Sequence, residues 1–158
     1  MRRRRLTRPG AGGPGGAVHV RPARPFDAGA VAALLRDLGA SGPVPTGDLR
    51  AWIADPATLW HLAEAPDGAL LGLQWVGPHP EPGTREVATF VAPGRHGLGV
   101  GSALWDATAA AARAAGHARV EASVREGNAG AQAFYRSRGF EPHGRVAGKV
   151  VLRFPLRR

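Results

Sequence analysis

The chain has 158 residues, a formal net charge of +9, a single methionine and no cysteine. This length suits one domain that buries its own core without metals or cross-links. The lack of cysteine excludes disulfides, thiolate nucleophiles and Cys-type zinc sites. Any chemistry must therefore come from oxygen, nitrogen and backbone groups.

The positive charge is concentrated at the start of the chain. Residues 1–16 contain five of the 21 basic residues and none of the 12 acidic ones, so the remaining 16 basic residues leave a net charge of only +4. The same segment is rich in glycine and proline and offers almost no apolar surface, which predicts a disordered basic tail. We therefore expect a single folded domain over residues 17–158 and discount the net charge as evidence of a nucleic-acid partner, with binding of nucleic acid through the basic tail as the alternative.

Apolar runs are too short for a bilayer span, and no apolar segment follows the first arginines. These features predict a cytoplasmic protein with no membrane partner. A homodimer is compatible with the sequence, although no residue pattern specifies one.

The first third of the domain predicts one strand and two helices. Val18 and Val20 alternate with polar residues as a short strand, and Asp27 is placed to cap a helix that ends at Gly39 and Gly42. A second helix is predicted after Thr46, stopping near Asp55-Pro56.

A hairpin and a further strand follow. Residues 58–63 and 69–76 are strand-like and are joined by Pro66-Asp67-Gly68, which is turn chemistry for an antiparallel pair. After a proline-rich loop at 78–83, residues 84–91 predict a fourth strand.

The second half predicts a long helix over 98–115, a strand over 118–124, a helix after Asn128 and a last strand over 149–156. A strand, a helix and a strand in this order imply a parallel crossover. The predicted fold class is therefore α/β, a mixed sheet with helices on its faces.

The fourth strand runs into Gly97-Leu98-Gly99-Val100-Gly101 at the start of the long helix. Free backbone N–H groups and the helix dipole make such a loop an anion site. A nucleotide-triphosphate loop would need a Lys that is absent here, and the third glycine of a dinucleotide fingerprint is replaced by Ser102 or Leu104. From the loop alone, an anion site and a plain glycine turn both remain open.

Three segments together resemble the GNAT family of N-acetyltransferases. The first is the stretch from Val91-Ala92-Pro93 through the glycine loop to Leu104, the second runs over residues 128–140, and the third is the opening at 20–28. The resemblance covers residues 18 to 156. It implies the GNAT-type acyl-CoA N-acyltransferase fold, a mixed and mostly antiparallel sheet of about six or seven strands with helices on both faces.

The resemblance also implies acetyl-CoA as co-substrate, with no metal. Backbone amides from Gly97 to Ser102 would cradle the pyrophosphate, and residues 89–91 would pair with the pantetheine arm. The residues assigned to acetyl-CoA in this way are Thr89, Phe90, Val91, His96, Gly97, Leu98, Gly99, Val100, Gly101, Ser102, Asn128, Phe134 and Tyr135. His96 replaces the family's Gln or Arg, and Asn128 can equally be read as a helix cap.

Two residues are candidates for proton transfer. Tyr135, the chain's one tyrosine, falls where the family often places the acid that protonates the departing thiolate. The alternative to this role is that Tyr135 only packs beside Phe134. Glu86 is the candidate base for the amine, and a strand-surface glutamate is its alternative, since a bulge would change which face it occupies. His79 and His117 are expected to be loop or surface histidines.

These inferences predict direct transfer of an acetyl group from acetyl-CoA to a primary amine, of a small molecule or an amino acid. A non-catalytic acyl-CoA sensor is the alternative, suggested by His96 and by the unassigned base. The acceptor site is expected among residues 39–50, 78–83 and 143–148.

Overall fold

A computed structural model describes residues 17–39 and 46–157 of the chain. Within them, seven strands form one sheet: β1 (His19–Pro22), β2 (Leu59–Glu64), β3 (Leu70–Gly77), β4 (Thr84–Val91), β5 (Arg119–Arg125), β6 (Glu141–Val146) and β7 (Lys149–Pro155). The helices are α1 (Ala28–Asp37), α2 (Thr46–Ala54), α3 (Val100–Ala114) and α4 (Ala129–Ser137). A short 3-10 turn, Pro25–Asp27, precedes α1.

The strands lie in the order β1-β2-β3-β4-β5-β7-β6. Every neighbouring pair is antiparallel except β4 and β5, which are parallel and connected through α3. The predicted fold class, a mixed and mostly antiparallel sheet with a parallel crossover, is confirmed.

Helices cover both faces of this sheet. On one face, α1 and α2 bury Val31, Leu34 and Leu49 against Trp60, Leu62 and Leu73 of β2 and β3. On the opposite face, α3 packs Trp105, Ala109 and Ala112 over β5 and β7, and Leu104 over β2 and β3. Successive side chains of the central strands therefore alternate between two faces of the sheet. We call these the α1/α2 face and the α3/α4 face, after the helices that cover them.

The parallel pair β4–β5 separates along its length. Its ladder joins Thr84–Glu86 to Arg119–Glu121 and ends there. Beyond that point β4 continues beside β3 up to Val91, while β5 continues beside β7 up to Arg125. A V-shaped gap therefore opens in the middle of the sheet, with its vertex at Glu86 and Glu121.

The β3–β4 register runs without a shift from Gly72↔Val91 to Gly77↔Glu86. Strict alternation thus holds in β4, with Thr89 on the α3/α4 face and Glu86 on the α1/α2 face. The N–H of Ala92 donates to Leu71 O at 2.7 Å, toward β3. By alternation, the backbone groups of Thr89 and Val91 point into the gap.

Two local predictions are wrong. Asp27 stands at the N-cap position of α1, but its side chain does not cap the helix, because its carboxylate accepts the Arg21 guanidinium at 2.8 and 2.9 Å and the Arg24 N–H at 2.7 Å. The segment 143–148, expected to be an acceptor loop, forms most of β6 and its turn into β7. Every side chain of β6 is exposed, so this edge strand lacks the alternation that reveals a half-buried strand.

The predicted basic tail, Gly42 and part of the 39–50 acceptor segment lie outside the described residues. Among the residues that are described, no helix combines the length and the apolar character that crossing a membrane requires.

Candidate active site

The loop between β4 and α3 depends on glycine for its backbone path. Gly94, Gly97 and Gly99 have φ of +77°, +84° and +78°, where L-residues with a side chain are strained. Left-handed residues that alternate with ordinary ones can bring successive N–H groups to one side of a loop, as in the backbone nests that bind anions.

The start of α3 leaves donors without partners. The first intrahelical bond runs from Ala103 N–H to Gly99 O at 3.0 Å, and no side chain caps the helix. The N–H groups of Val100, Gly101 and Ser102 are therefore free of intrahelical bonds, with the positive end of the helix dipole behind them. This terminus can hold a phosphate-sized anion.

A cavity of about 660 Å³ extends from this loop into the β4–β5 gap. Most residues that the family resemblance assigned to the cofactor line it together: Thr89, Val91, His96, Gly97, Gly99, Val100, Gly101, Ser102, Asn128, Phe134 and Tyr135. Phe90 and Leu98 do not, since Phe90 points to the α1/α2 face and Leu98 is exposed.

Three further residues line the cavity without having been singled out, namely Arg95, Gly130 and Ala131. Arg95 lies two residues before Gly97 and offers a cation beside the free N–H groups. Its position next to the motif was the available signal. Gly130 and Ala131 carry no polar side chain, and only their place on α4 brings them to the cavity.

Asn128 is the N-cap of α4, since its Oδ1 accepts the N–H of Ala131 at 3.0 Å. The same residue lines the cavity. The capping interpretation is confirmed. A contact with the cofactor remains a prediction, and the two roles are compatible because the carboxamide has a donor group left over.

Gly101 allows α3 to lie against α4. A Cβ at this position would come within 2.8 Å of Cε1 of Phe134. The Phe134 ring would have to move, and it forms one wall of the cavity. Glycine here therefore sets the cavity's shape as well as the loop's backbone.

Tyr135 has 5% of its surface exposed, and its hydroxyl lies 2.8 Å from Thr89 Oγ1. Burial raises the pKa of this phenol, the hydrogen bond with Thr89 opposes that shift, and the negative charge of Glu86 adds to it. The phenol is therefore protonated throughout the neutral pH range and can serve as a proton donor.

A buried polar row leads to this tyrosine across the sheet. The register aligns His61 of β2 with Gln74 of β3, and Gln74 with Thr89 of β4. The Gln74 amide donates from Nε2 to Thr89 Oγ1 at 2.9 Å, and Gln74 Oε1 is buried with no partner in the described part of the chain. Because the amide can only donate there, the Thr89 proton is free to point at the Tyr135 oxygen, although Thr89 Oγ1 can also accept the phenolic proton.

Glu86 lies at the vertex of the gap, facing α1 and α2 together with Ala88 and Phe90. Its strand partner on β5 is Glu121. Within the described ranges the Glu86 carboxylate has no hydrogen bond or ion pair, so its oxygens are available to a ligand.

Glu121 is held by two neighbours. His79 Nε2 and Arg153 Nε lie 2.8 Å from its two carboxylate oxygens. Burial tends to raise the pKa of Glu121, but the hydrogen bonds from Arg153 and His79 outweigh it and lower the pKa. His79 lies in the loop between β3 and β4, as one of its two expected settings had it, but it is not a free surface side chain: only 14% of it is exposed, and its Nδ1 accepts the Glu81 N–H at 3.0 Å. Both ring nitrogens are occupied, so His79 orients Glu121.

Comparison with known proteins agrees with this geometry. A profile described as the acetyltransferase (GNAT) family matches residues 31–140. Mycothiol acetyltransferase from Beutenbergia cavernae is 42% identical over 89 residues, which make up 56% of this chain and 30% of that protein. The chain thus spans less than a third of the length of that curated relative.

Solved structures show the same fold. An N-acetyltransferase from Staphylococcus aureus Mu50 has a TM-score of 0.80 at 19% identity, covering 89% of this chain and 99% of that chain. A GNAT superfamily phosphinothricin acetyltransferase from Sinorhizobium meliloti, in complex with acetyl-CoA, has a TM-score of 0.77 at 17% identity and covers 87% and 88% of the two chains.

Proposed function

Because the chain belongs to the GNAT family of acetyltransferases, we propose that it transfers the acetyl group of acetyl-CoA directly to a primary amine of a small molecule or an amino acid. The observation that carries this proposal is the joint placement of the glycine loop and the buried Tyr135 hydroxyl on one cavity. The first can hold the co-substrate's pyrophosphate, and the second can donate a proton.

The residues present fit acetyl-CoA at both ends of the cavity. The N–H groups of Val100, Gly101 and Ser102, with Arg95 and His96 nearby, supply donors and positive charge for the pyrophosphate. The backbone of Thr89 and Val91 faces the gap and can pair with the amides of an extended pantetheine arm, as an added strand would. When bound, acetyl-CoA supplies an activated thioester.

The reaction balances without a covalent enzyme intermediate. The neutral amine nitrogen attacks the thioester carbonyl carbon, a C–N bond forms, and the C–S bond breaks. The amine loses one proton and the leaving sulfur gains one, so the products are an amide and a free thiol. An amine that arrives as an ammonium ion releases one additional proton to solvent.

We assign the two proton transfers to Tyr135 and Glu86. Tyr135 would protonate the leaving sulfur, since burial keeps its phenol neutral and Thr89 can orient it. Glu86 would attract the ammonium form and accept its proton, directly or through water. The N–H of Val91 is the candidate donor to the developing oxyanion.

The test is thiol release from acetyl-CoA over a panel of primary amines, with product masses recorded. We expect turnover with at least one class of amine. Tight binding of acetyl-CoA by calorimetry with no turnover across the panel would instead favour the non-catalytic sensor, which His96 at the family's Gln or Arg position leaves open.

A further inference from the structure

A second cavity, of about 550 Å³, lies on the other side of β4, between α1, α2 and strands β2 to β4. Aromatic side chains dominate its walls: Trp52, Trp60, Trp75 and Phe90. Among the described residues that line it, the polar side chains are Asp55 and Thr58. Both are already bonded to nearby backbone, Asp55 Oδ1 to Ala57 N–H at 2.9 Å and Thr58 Oγ1 to Trp52 O at 2.8 Å.

The aromatic walls are fixed in place. The rings of Trp60 and Trp75 lie 6.1 Å apart at 58°. Trp75 folds over Gly77, where a Cβ would come within 2.0 Å of its Cζ2, so glycine is required for this side-chain position. The Trp60 indole nitrogen is shielded from solvent and lacks a partner among the described residues, so the ring presents carbon atoms to the cavity.

This cavity lies on the same side of β4 as the proposed base Glu86. Ala88 and Phe90 line it, and both lie on the same face of β4 as Glu86. Alternate residues of a strand are about 7 Å apart. An amine held at Glu86 can therefore extend its substituent past Ala88, which lines the aromatic cavity.

The charge of the lining narrows the ligand class further. The described residues around the cavity include no Lys, Arg or His, so a carboxylate or phosphate would enter without a counter-ion. A long polycation would have a single carboxylate among these residues, that of Asp55, to pair with its several positive charges. Aromatic and aliphatic walls instead favour an uncharged apolar group, in offset or edge contact with the indole rings.

We propose that this cavity determines acceptor specificity, and that the acceptor is an arylalkylamine or an equally bulky apolar primary amine. The inference rests on the proposed function and specifies its substrate class. The amine lies at Glu86 while the apolar group is buried among Trp52, Trp60 and Trp75.

The experiment compares two arylalkylamines with a small amine and with a diamine. We expect kcat/KM for 2-phenylethylamine and tryptamine to exceed that for ethylamine and butane-1,4-diamine by about 100-fold, because burying a phenyl group removes on the order of 100 Å² of apolar surface from water. Ala88→Phe fills the cavity from β4, and Trp52→Ala removes an aromatic wall at a residue that is 49% exposed. Each variant should reduce the preference for 2-phenylethylamine over ethylamine at least about tenfold.

The matched control is Phe26→Ala, which removes an aromatic ring that is 75% exposed and does not line the cavity. It should leave the preference unchanged. Equal or faster turnover of ethylamine or the diamine would overturn the apolar class while leaving acetyl transfer intact.

If acetyl-CoA binds but no amine is turned over, the proposed function fails. Binding of an apolar amine in the cavity is then tested separately. Titration with 2-phenylethylamine, followed by tryptophan fluorescence, should then give a saturable change that Ala88→Phe abolishes. The absence of a saturable change in the unmodified protein would overturn the inference.

Discussion

The Thr89 hydroxyl oxygen lies 2.8 Å from the Tyr135 hydroxyl oxygen and joins a strand edge of the gap to helix α4. The two residues are 46 positions apart in sequence, and each lines the cavity of the glycine loop. Gln74 Nε2 donates a hydrogen bond to the same Thr89 oxygen at 2.9 Å. A buried chain of three hydrogen-bonded side chains therefore holds the phenolic oxygen in place.

Replacing Tyr135 by Phe should reduce kcat by about 10² to 10⁴, the range expected for loss of a general acid. The ring still fills its site, so the affinity for acetyl-CoA should change less than about threefold and unfolding should cost about 1 kcal/mol less free energy, one hydrogen bond. Thiol release at saturating amine measures kcat, and calorimetry measures affinity.

Thr89→Ser is the control for this change, because it keeps a hydroxyl at the same Cβ and should retain most of kcat. A Tyr135→Phe enzyme as fast as the unmodified protein would remove Tyr135 from the mechanism.

Gln74 is expected to act as a positioning residue through Thr89. Gln74→Met preserves length, removes the donor to Thr89 and also removes the buried, unpartnered Oε1. Stability should therefore change by less than about 1 kcal/mol, since a lost bond is offset by a lost unsatisfied acceptor. In contrast, kcat should fall about tenfold with KM unchanged. A phenol that is no longer well oriented loses transition-state stabilisation of about the size of one hydrogen bond.

Thr108→Val is the matched control for Gln74. Thr108 is equally buried on the same face, but its hydroxyl lies 3.4 Å from His61 Nδ1 and does not touch Thr89. It should lower stability without lowering kcat. If both variants change stability alone, Gln74 has no positioning role.

Local patterns in the sequence predicted most of the fold. Alternation located β4 at residues 84–91 with its observed bounds, and Pro66-Asp67-Gly68 correctly joined β2 and β3. β6 was missed because Pro142 and Gly144 lower strand propensity and no side chain in it is buried. Asp27 was assigned to the wrong partner because Arg21 reaches it from a neighbouring strand, which helix-capping rules cannot anticipate.

The candidate site likewise has one part that local sequence predicts and one part that it does not. Its backbone part, the loop from Gly97 to Gly101, follows from glycine spacing because positive φ and close approach are local properties. The side-chain part depends on register and packing between distant segments. Neither the Gln74–Thr89–Tyr135 row nor the aromatic cavity of Trp52, Trp60 and Trp75 has a local sequence signal.

Two glycine-to-alanine changes separate helix propensity from cavity shape. Gly29 lies within α1, and a Cβ there would meet no atom within 4 Å, so Gly29→Ala should stabilise the protein by about 0.5–1 kcal/mol and leave acetyl-CoA affinity unchanged. Gly101→Ala gains similar propensity but displaces the Phe134 ring toward the cavity. Its affinity for acetyl-CoA should fall about tenfold or more, equivalent to about 1.4 kcal/mol. Calorimetry showing equal affinities for the two variants would contradict the assigned role of Gly101.

Stability should decline between pH 7 and pH 5 because of His61. Burial lowers the pKa of this histidine, whose side chain packs under α3 beside Thr108. The folded protein therefore keeps His61 neutral while the unfolded chain binds a proton near pH 6.5. Stability from this group is fully present above about pH 6.5 and is lost as the pH falls, with a slope of up to about 1.4 kcal/mol per pH unit until the folded pKa is reached.

Urea unfolding at pH 7, 6 and 5 measures this slope, and His61→Gln should flatten it. His117, whose pKa is lowered by burial and by the nearby charge of Arg85, should account for part of what remains. The window lies above the region in which Asp27 and Glu121, whose pKa values are lowered, begin to take up protons. A slope that is the same with and without His61 would show that this histidine is already protonated in the folded protein or equally shielded in the unfolded chain.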